Sequence, residues 1–174
     1  MKQSTIIIAV IAVVFAGTGA WYGNQRFRHS TKEPAPVSAL FAQSLPDLAN
    51  TSQPLAQWRG KPLLINFWAT WCAPCVQEMP ELSALQTEIG EGSLRIVGIG
   101  IDSASNVREF AKKLPVTYPL MIGGMEASEL SRQLGNQAGG LPFTVLIDAD
   151  GRIRKTYLGR LKLDELRRDL RSMQ

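Results

Sequence analysis

Cysteine and histidine are scarce in this chain: 174 residues carry two of the first and one of the second. That scarcity excludes several chemistries. A structural zinc site needs four cysteine or histidine ligands, which Cys72, Cys75 and the remote His29 do not supply. A c-type haem attachment needs histidine directly after the second cysteine of a Cys-x-x-Cys; here that residue is Val76. A disulfide closing so short a loop adds little stability through chain entropy, so structure alone is a weak reason for the pair. Blocks of like charge are missing too. Nineteen Lys+Arg stand against fifteen Asp+Glu, for a formal net charge of +4, yet the signs alternate along the helical segments. That is a solvated surface rather than a nucleic-acid stripe. No internal repeat and no low-complexity tract occur.

What is present centres on Trp71-Cys72-Ala73-Pro74-Cys75. The run before it, Leu63 to Trp68, is short, apolar and β-prone, and from about Cys72 to Ile89 the pattern turns helical. Free N–H groups at a helix start, with the helix dipole, stabilise a thiolate placed there. The pair is therefore a candidate dithiol/disulfide switch. Cys72, preceding the helix, is the expected nucleophile. Cys75, one turn deeper, is the expected resolving thiol, and Pro74 falls in the first turn, where its missing N–H is tolerated.

Around this motif the chain reads as one domain plus a targeting segment. No charge occurs between Lys2 and Arg26, and the apolar run from Thr5 is of membrane-spanning length. Residues 1–25 are expected to be a retained membrane anchor or a cleaved signal. Arg26, Arg28 and Lys32 follow the run while only Lys2 and the amino terminus precede it, a balance that by itself favours a cytoplasmic domain. Residues 26–44, with Pro34 and Pro36, read as a linker, and 45–174 as the folded domain. Within it we expect a short hairpin over Leu45–Leu48 and Gln53–Leu55 and a buried strand over Leu94–Ile101. Helices are expected over Asn106–Leu114, Met125–Leu134 and Leu163–Ser172. Tyr118–Ile122, Phe143–Asp148 and Ile153–Leu158 read as strands, the last two joined by an Asp150-Gly151 turn. Strand–helix alternation ending in a hairpin and helix points to an α/β fold.

Ile65-Asn66-Phe67-Trp68-Ala69-Thr70-Trp71-Cys72-Ala73-Pro74-Cys75 resembles the active-site segment of the thioredoxin superfamily. Gly139-Gly140-Leu141-Pro142-Phe143-Thr144-Val145-Leu146-Ile147-Asp148 resembles its cis-proline loop and following strand. Glu78 and Asp148-Ala149-Asp150-Gly151-Arg152-Ile153 are similar to the membrane-anchored, extracytoplasmic TlpA/ResA branch. The resemblance implies a thioredoxin-like fold, a central mixed sheet flanked by helices, here with an N-terminal hairpin extension. It also implies an exported domain, against the charge balance above.

The resemblance further implies roles for single residues. Cys72 and Cys75 would form the redox-active disulfide. Pro142, after a cis bond from Leu141, would face the cysteines and expose the Leu141 backbone for strand-like pairing with a substrate. Trp71 would line the surface around Cys72, with Trp68 in the core. Glu78, three residues beyond Cys75 on the same side of the helix, would tune the thiols or move protons, the alternative being an ordinary solvent-facing carboxylate. Asn66 stands where thioredoxin has an acidic residue, leaving Glu78 the nearest acid or base; otherwise it is a hydrogen-bonded core residue.

Ala73 and Pro74 supply no cation or imidazole to hold a thiolate, which favours a reductase over an oxidase. The expected substrates are protein disulfides of exported proteins, for example in cytochrome c or copper-site maturation. Electrons would come from a membrane thiol-transfer protein. No cofactor, metal or nucleic acid is expected, and the protein reads as a monomer. A disulfide-forming oxidase and a non-enzymatic metal chaperone are the alternatives.

Overall fold

Residues 34–173 are described by the computed structural model, and they begin inside the segment expected to be a linker. Proline is well tolerated in a helix's first turn, and Pro34 and Pro36 open a helix, α1 (Ala35–Phe41), rather than a spacer. Its Val37, Leu40 and Phe41, at helical spacing, are buried in the core. The expected linker is therefore corrected from Ala35 onward: that part packs as domain. The expected anchor, 1–25, lies outside the described residues. Among the described residues no helix is long and apolar enough to cross a membrane.

After α1 comes the expected hairpin, β1 (Ser44–Pro46) against β2 (Ser52–Pro54), and a 3₁₀ turn over Leu55–Trp58. The main sheet has five strands in the order β5-β4-β3-β6-β7. They are β3 (Leu63–Trp68), β4 (Arg95–Gly100), β5 (Leu120–Ile122), β6 (Phe143–Ile147) and β7 (Ile153–Leu158). The first three run parallel; β6 is antiparallel to β3, and β7 to β6. All of β3 is buried, because both sheet faces are covered. Its odd residues Leu63, Ile65 and Phe67 join α1 in one core, while Leu64 and Trp68 join the cysteines in the other.

The helices are α2 (Ala73–Ile89), α3 (Ala104–Lys113), α4 (Ala127–Gln133) and α5 (Leu163–Arg171). In α2, Cys75, Glu78, Met79, Leu82, Leu85 and Gln86 are buried, one inward stripe, and Pro80 sits on the exposed side. Gly90 ends it with φ of +76°, a left-handed conformation that glycine adopts without steric cost. Helix α3 begins two residues before expectation because the Ser103 hydroxyl accepts the Asn106 N–H at 3.2 Å. Strand β5 is shorter than expected, with Pro119 directly before it. Its free edge meets Asp47 of the hairpin in an antiparallel bridge to Met121. The opposite edge, β7, carries Arg154 and Lys155, and its pairing with β6 is irregular at Leu146/Ile147.

Candidate active site

The parallel strands β3 and β4 end at one edge of the sheet, and antiparallel β6 begins there, opposite Phe67. The loop after Trp68 is held in two ways. Ala69 O accepts the Cys72 N–H at 3.2 Å, and the Thr70 hydroxyl donates to Asp102 Oδ2 in a short hydrogen bond. Asp102 Oδ1 also accepts from Ser103 N–H at 2.7 Å and Asn106 Nδ2 at 2.8 Å. Burial alone would push the Asp102 carboxyl up, but these donors hold it below the usual range. Trp71, thus presented, is 69% exposed, whereas Trp68 is wholly buried with its ring 5.1 Å from that of Phe110.

Cys72 is the N-cap of α2 and is disulfide-bonded to Cys75, with Cα atoms 5.3 Å apart. The Cys75 main-chain N–H donates to Cys72 Sγ at 3.3 Å. The helix thus aims an otherwise unpaired N–H at the sulfur expected to become a thiolate. Both cysteines are buried, Cys75 completely.

Glu78 is not solvent-facing. It is 1% exposed, with Oε1 accepting from Asn66 Nδ2 at 2.7 Å and Oε2 from the Leu161 main-chain N–H at 2.8 Å. Asn66 Nδ2 also donates to Thr144 Oγ1 at 3.0 Å. These residues meet because Thr144, Asn66 and Gly98 occupy one row across β6, β3 and β4. Burial pushes the Glu78 carboxyl above the ordinary carboxylate range; the donors Leu161 and Asn66 oppose it, Glu81 adds to it and Arg160 offsets it. A carboxyl so placed, one turn beyond Cys75, can hold or accept a proton.

The Leu141–Pro142 peptide is cis. Pro142 O accepts the Gly159 N–H at 2.8 Å, and Asn136 Nδ2 donates to Gly140 O at 2.9 Å, fixing the loop on both sides. Leu141 is half-buried and packs against the core cluster that contains both cysteines. Leu158, 58% exposed, pairs with Phe143 across the β6–β7 ladder. Trp71, Cys72, Cys75 and Glu78 thus lie on the loop after β3 and on α2, and Leu141 and Pro142 on the loop that leads into β6, the strand paired with β3. Among the described residues no group of three or more histidine, cysteine, aspartate or glutamate side chains is placed to hold a metal.

Leu161, Asp102, Thr144 and Asn136 were not foreseen. Asp102-Ser103 before a helix is a readable capping signal. Leu161 acts through its main chain, which no side-chain pattern reports.

Residues 30–170 match the Redoxin family. The chain belongs to that family, within its ResA-like branch. It is similar to the thiol-disulfide oxidoreductase ResA of Geobacillus kaustophilus, at 30% identity over 176 aligned positions that cover 99% of this chain and 98% of the relative. The thioredoxin-like protein YneN of Bacillus subtilis is 30% identical over 175 positions, 94% of this chain and 95% of YneN. Among solved structures, a thioredoxin-related protein from Neisseria meningitidis serogroup B is 32% identical with a TM-score of 0.66, covering 74% of this chain and 97% of that one. This redoxin is a thiol–disulfide oxidoreductase with an α/β, thioredoxin-like fold. Its substrates are proteins.

Proposed function

We propose that this redoxin is an exported, membrane-tethered reductase of protein disulfides. Residues 1–25 serve as the anchor, and the stretch from 26 to the start of α1 serves as the spacer. In each turnover the Cys72 thiolate attacks a substrate disulfide and forms a mixed disulfide. Cys75 then attacks Cys72, releasing reduced substrate and closing the intramolecular bridge. A membrane thiol-transfer protein reopens that bridge. Disulfides of apocytochromes c or of copper-site cysteine pairs in exported proteins are the substrate class. Glu78 is the acid/base that moves the Cys75 proton. Trp71, Leu141 and Pro142 receive an extended substrate as a monomeric enzyme.

The observation that carries the direction is the surroundings of the sulfurs. Ala73 and Pro74 carry no charge, and the ionisable side chain buried one turn beyond Cys75 is the acidic Glu78, not a cation. Such surroundings favour a thiolate less, so the reduced pair gives up electrons more readily. For docking, the support is that no main-chain hydrogen bond within the described residues uses Leu141.

The reduction potential of the Cys72/Cys75 pair tests this reading. A value at or below about −220 mV places the pair with thioredoxin- and glutaredoxin-like reductants. A value near about −120 mV would place it with the strong oxidants and reverse the direction.

A further inference from the structure

Three consecutive residues join the loop that meets substrate to the buried carboxyl. Gly159-Arg160-Leu161 connects β7 to α5. The Gly159 N–H donates to Pro142 O at 2.8 Å, and the Leu161 N–H donates to Glu78 Oε2 at 2.8 Å. Between them the Arg160 guanidinium pairs with Glu81 Oε1 at 2.5 Å, on the α2 turn that follows Glu78. Gly159 has φ of +83°, a left-handed conformation that turns the chain so that amides two residues apart serve different partners.

We propose that this segment is a strap coupling substrate docking on Leu141–Pro142 to the proton affinity of Glu78. The inference rests on the reading of Glu78 as acid/base and of Leu141 as the docking strand. A partner chain pairing with Leu141 pulls on the Pro142 carbonyl, which the strap already holds. Movement of Gly159 loosens the Leu161 amide from Glu78, one of two donors to that carboxylate among the described residues. Losing a donor disfavours the charged form, so Glu78 holds a proton more tightly. The other groups facing it leave that sign unchanged. Arg160 moves with the strap, and its withdrawal acts in the same direction. Glu81 on α2 stays in place, and buried Tyr118, before β5, is neutral.

Docking therefore makes Glu78 the stronger base at the moment one is needed. The Cys75 S–H proton passes to Glu78, and the Cys75 sulfur bonds to Cys72. The substrate thiolate leaves with the electron pair of the broken mixed disulfide. The strap is a positioning element: it touches no reacting atom.

The test uses the full-length protein with Cys75→Ala, carboxyl-¹³C glutamate and Cys72 in one of two adducts. One adduct is a methylthio group, with no backbone to pair. The other is a disulfide to a blocked tripeptide with a central cysteine. The Glu78 resonance is identified by its loss in Glu78→Gln. The expected result is a titration midpoint about one pH unit higher in the tripeptide adduct, a tenfold coupling. Replacing Leu161 or Gly159 by the corresponding α-hydroxy acid removes one strap amide, and either replacement abolishes the difference. If one of these proteins does not fold, the other cuts the same strap at its opposite end. Equal midpoints in the two adducts, or a difference that survives either replacement, overturn the strap. Neither result touches the acid/base role of Glu78, which is decided separately by the pH–rate profile of Glu78→Gln.

Discussion

Asn66 and Glu78 meet through a 2.7 Å hydrogen bond that ties the central strand to the cysteine-bearing helix, with both side chains buried. The strand position next to the reactive pair is thus an amide serving a carboxyl on the neighbouring helix.

This arrangement makes stability depend on pH with a definite sign. A carboxyl raised in the folded state binds more protons there than in the unfolded chain, so stability falls as pH rises through that window. The window opens near the ordinary glutamate value of about 4.3 and closes at the higher folded value. In urea titrations of the oxidised protein, the stability of the native chain minus that of Glu78→Gln should decline within it. The slope cannot exceed about 1.4 kcal/mol per pH unit, the limit for a single proton. A flat difference would mean that Glu78 titrates normally.

Order of attack is tested by Cys75→Ser. With the resolving sulfur gone, mixed disulfides should accumulate on Cys72 and appear as reducible adducts on non-reducing gels. Adducts from Cys72→Ser instead would exchange the two roles.

The two tryptophans flanking the loop should separate cleanly. Trp68→Ala opens a cavity in the core and should cost about 3–5 kcal/mol. Trp71→Ala, at an exposed position, should change stability by less than about 0.5 kcal/mol. It should nevertheless lower kcat/KM for a protein disulfide about tenfold, as loss of an aromatic contact at a docking surface does. A kcat/KM for the protein disulfide in Trp71→Ala equal to that of the native enzyme would remove this residue from the docking surface.

Helix α1 belongs to the folded unit, and a single substitution shows it. Leu40 is fully buried, so Leu40→Ala should destabilise the domain by about 2–5 kcal/mol in chemical denaturation. A loss below about 0.5 kcal/mol would return the segment to the status of a spacer.

Most of the domain is legible in sequence because its signals are local. Alternation, apolar runs and the Asp150-Gly151 turn mark β3 to β7, and Cys72 marks the start of α2. Helix α1 escapes because Pro34 and Pro36 read equally well as linker and as helix opening; the Val37, Leu40 and Phe41 spacing decides between them. The burial of Glu78 escapes for a different reason. On the helical stripe it falls beside Cys75 and Met79, but only Leu161, 83 residues away, completes its partners. Main-chain donors carry no residue signature, so contacts of this kind surface only in three dimensions.

The two sheet edges bear on how such an enzyme survives its own clients. Polypeptides awaiting disulfide exchange carry exposed, unpaired strands that add readily to any open ladder. Here one border is three residues long and capped through Asp47, while the other bears Arg154 and Lys155 beside an irregular register. Promiscuous annealing along either border is thereby discouraged. A misfolded chain can be engaged at the cysteines and let go again, without being stitched into the catalyst as an extra strand.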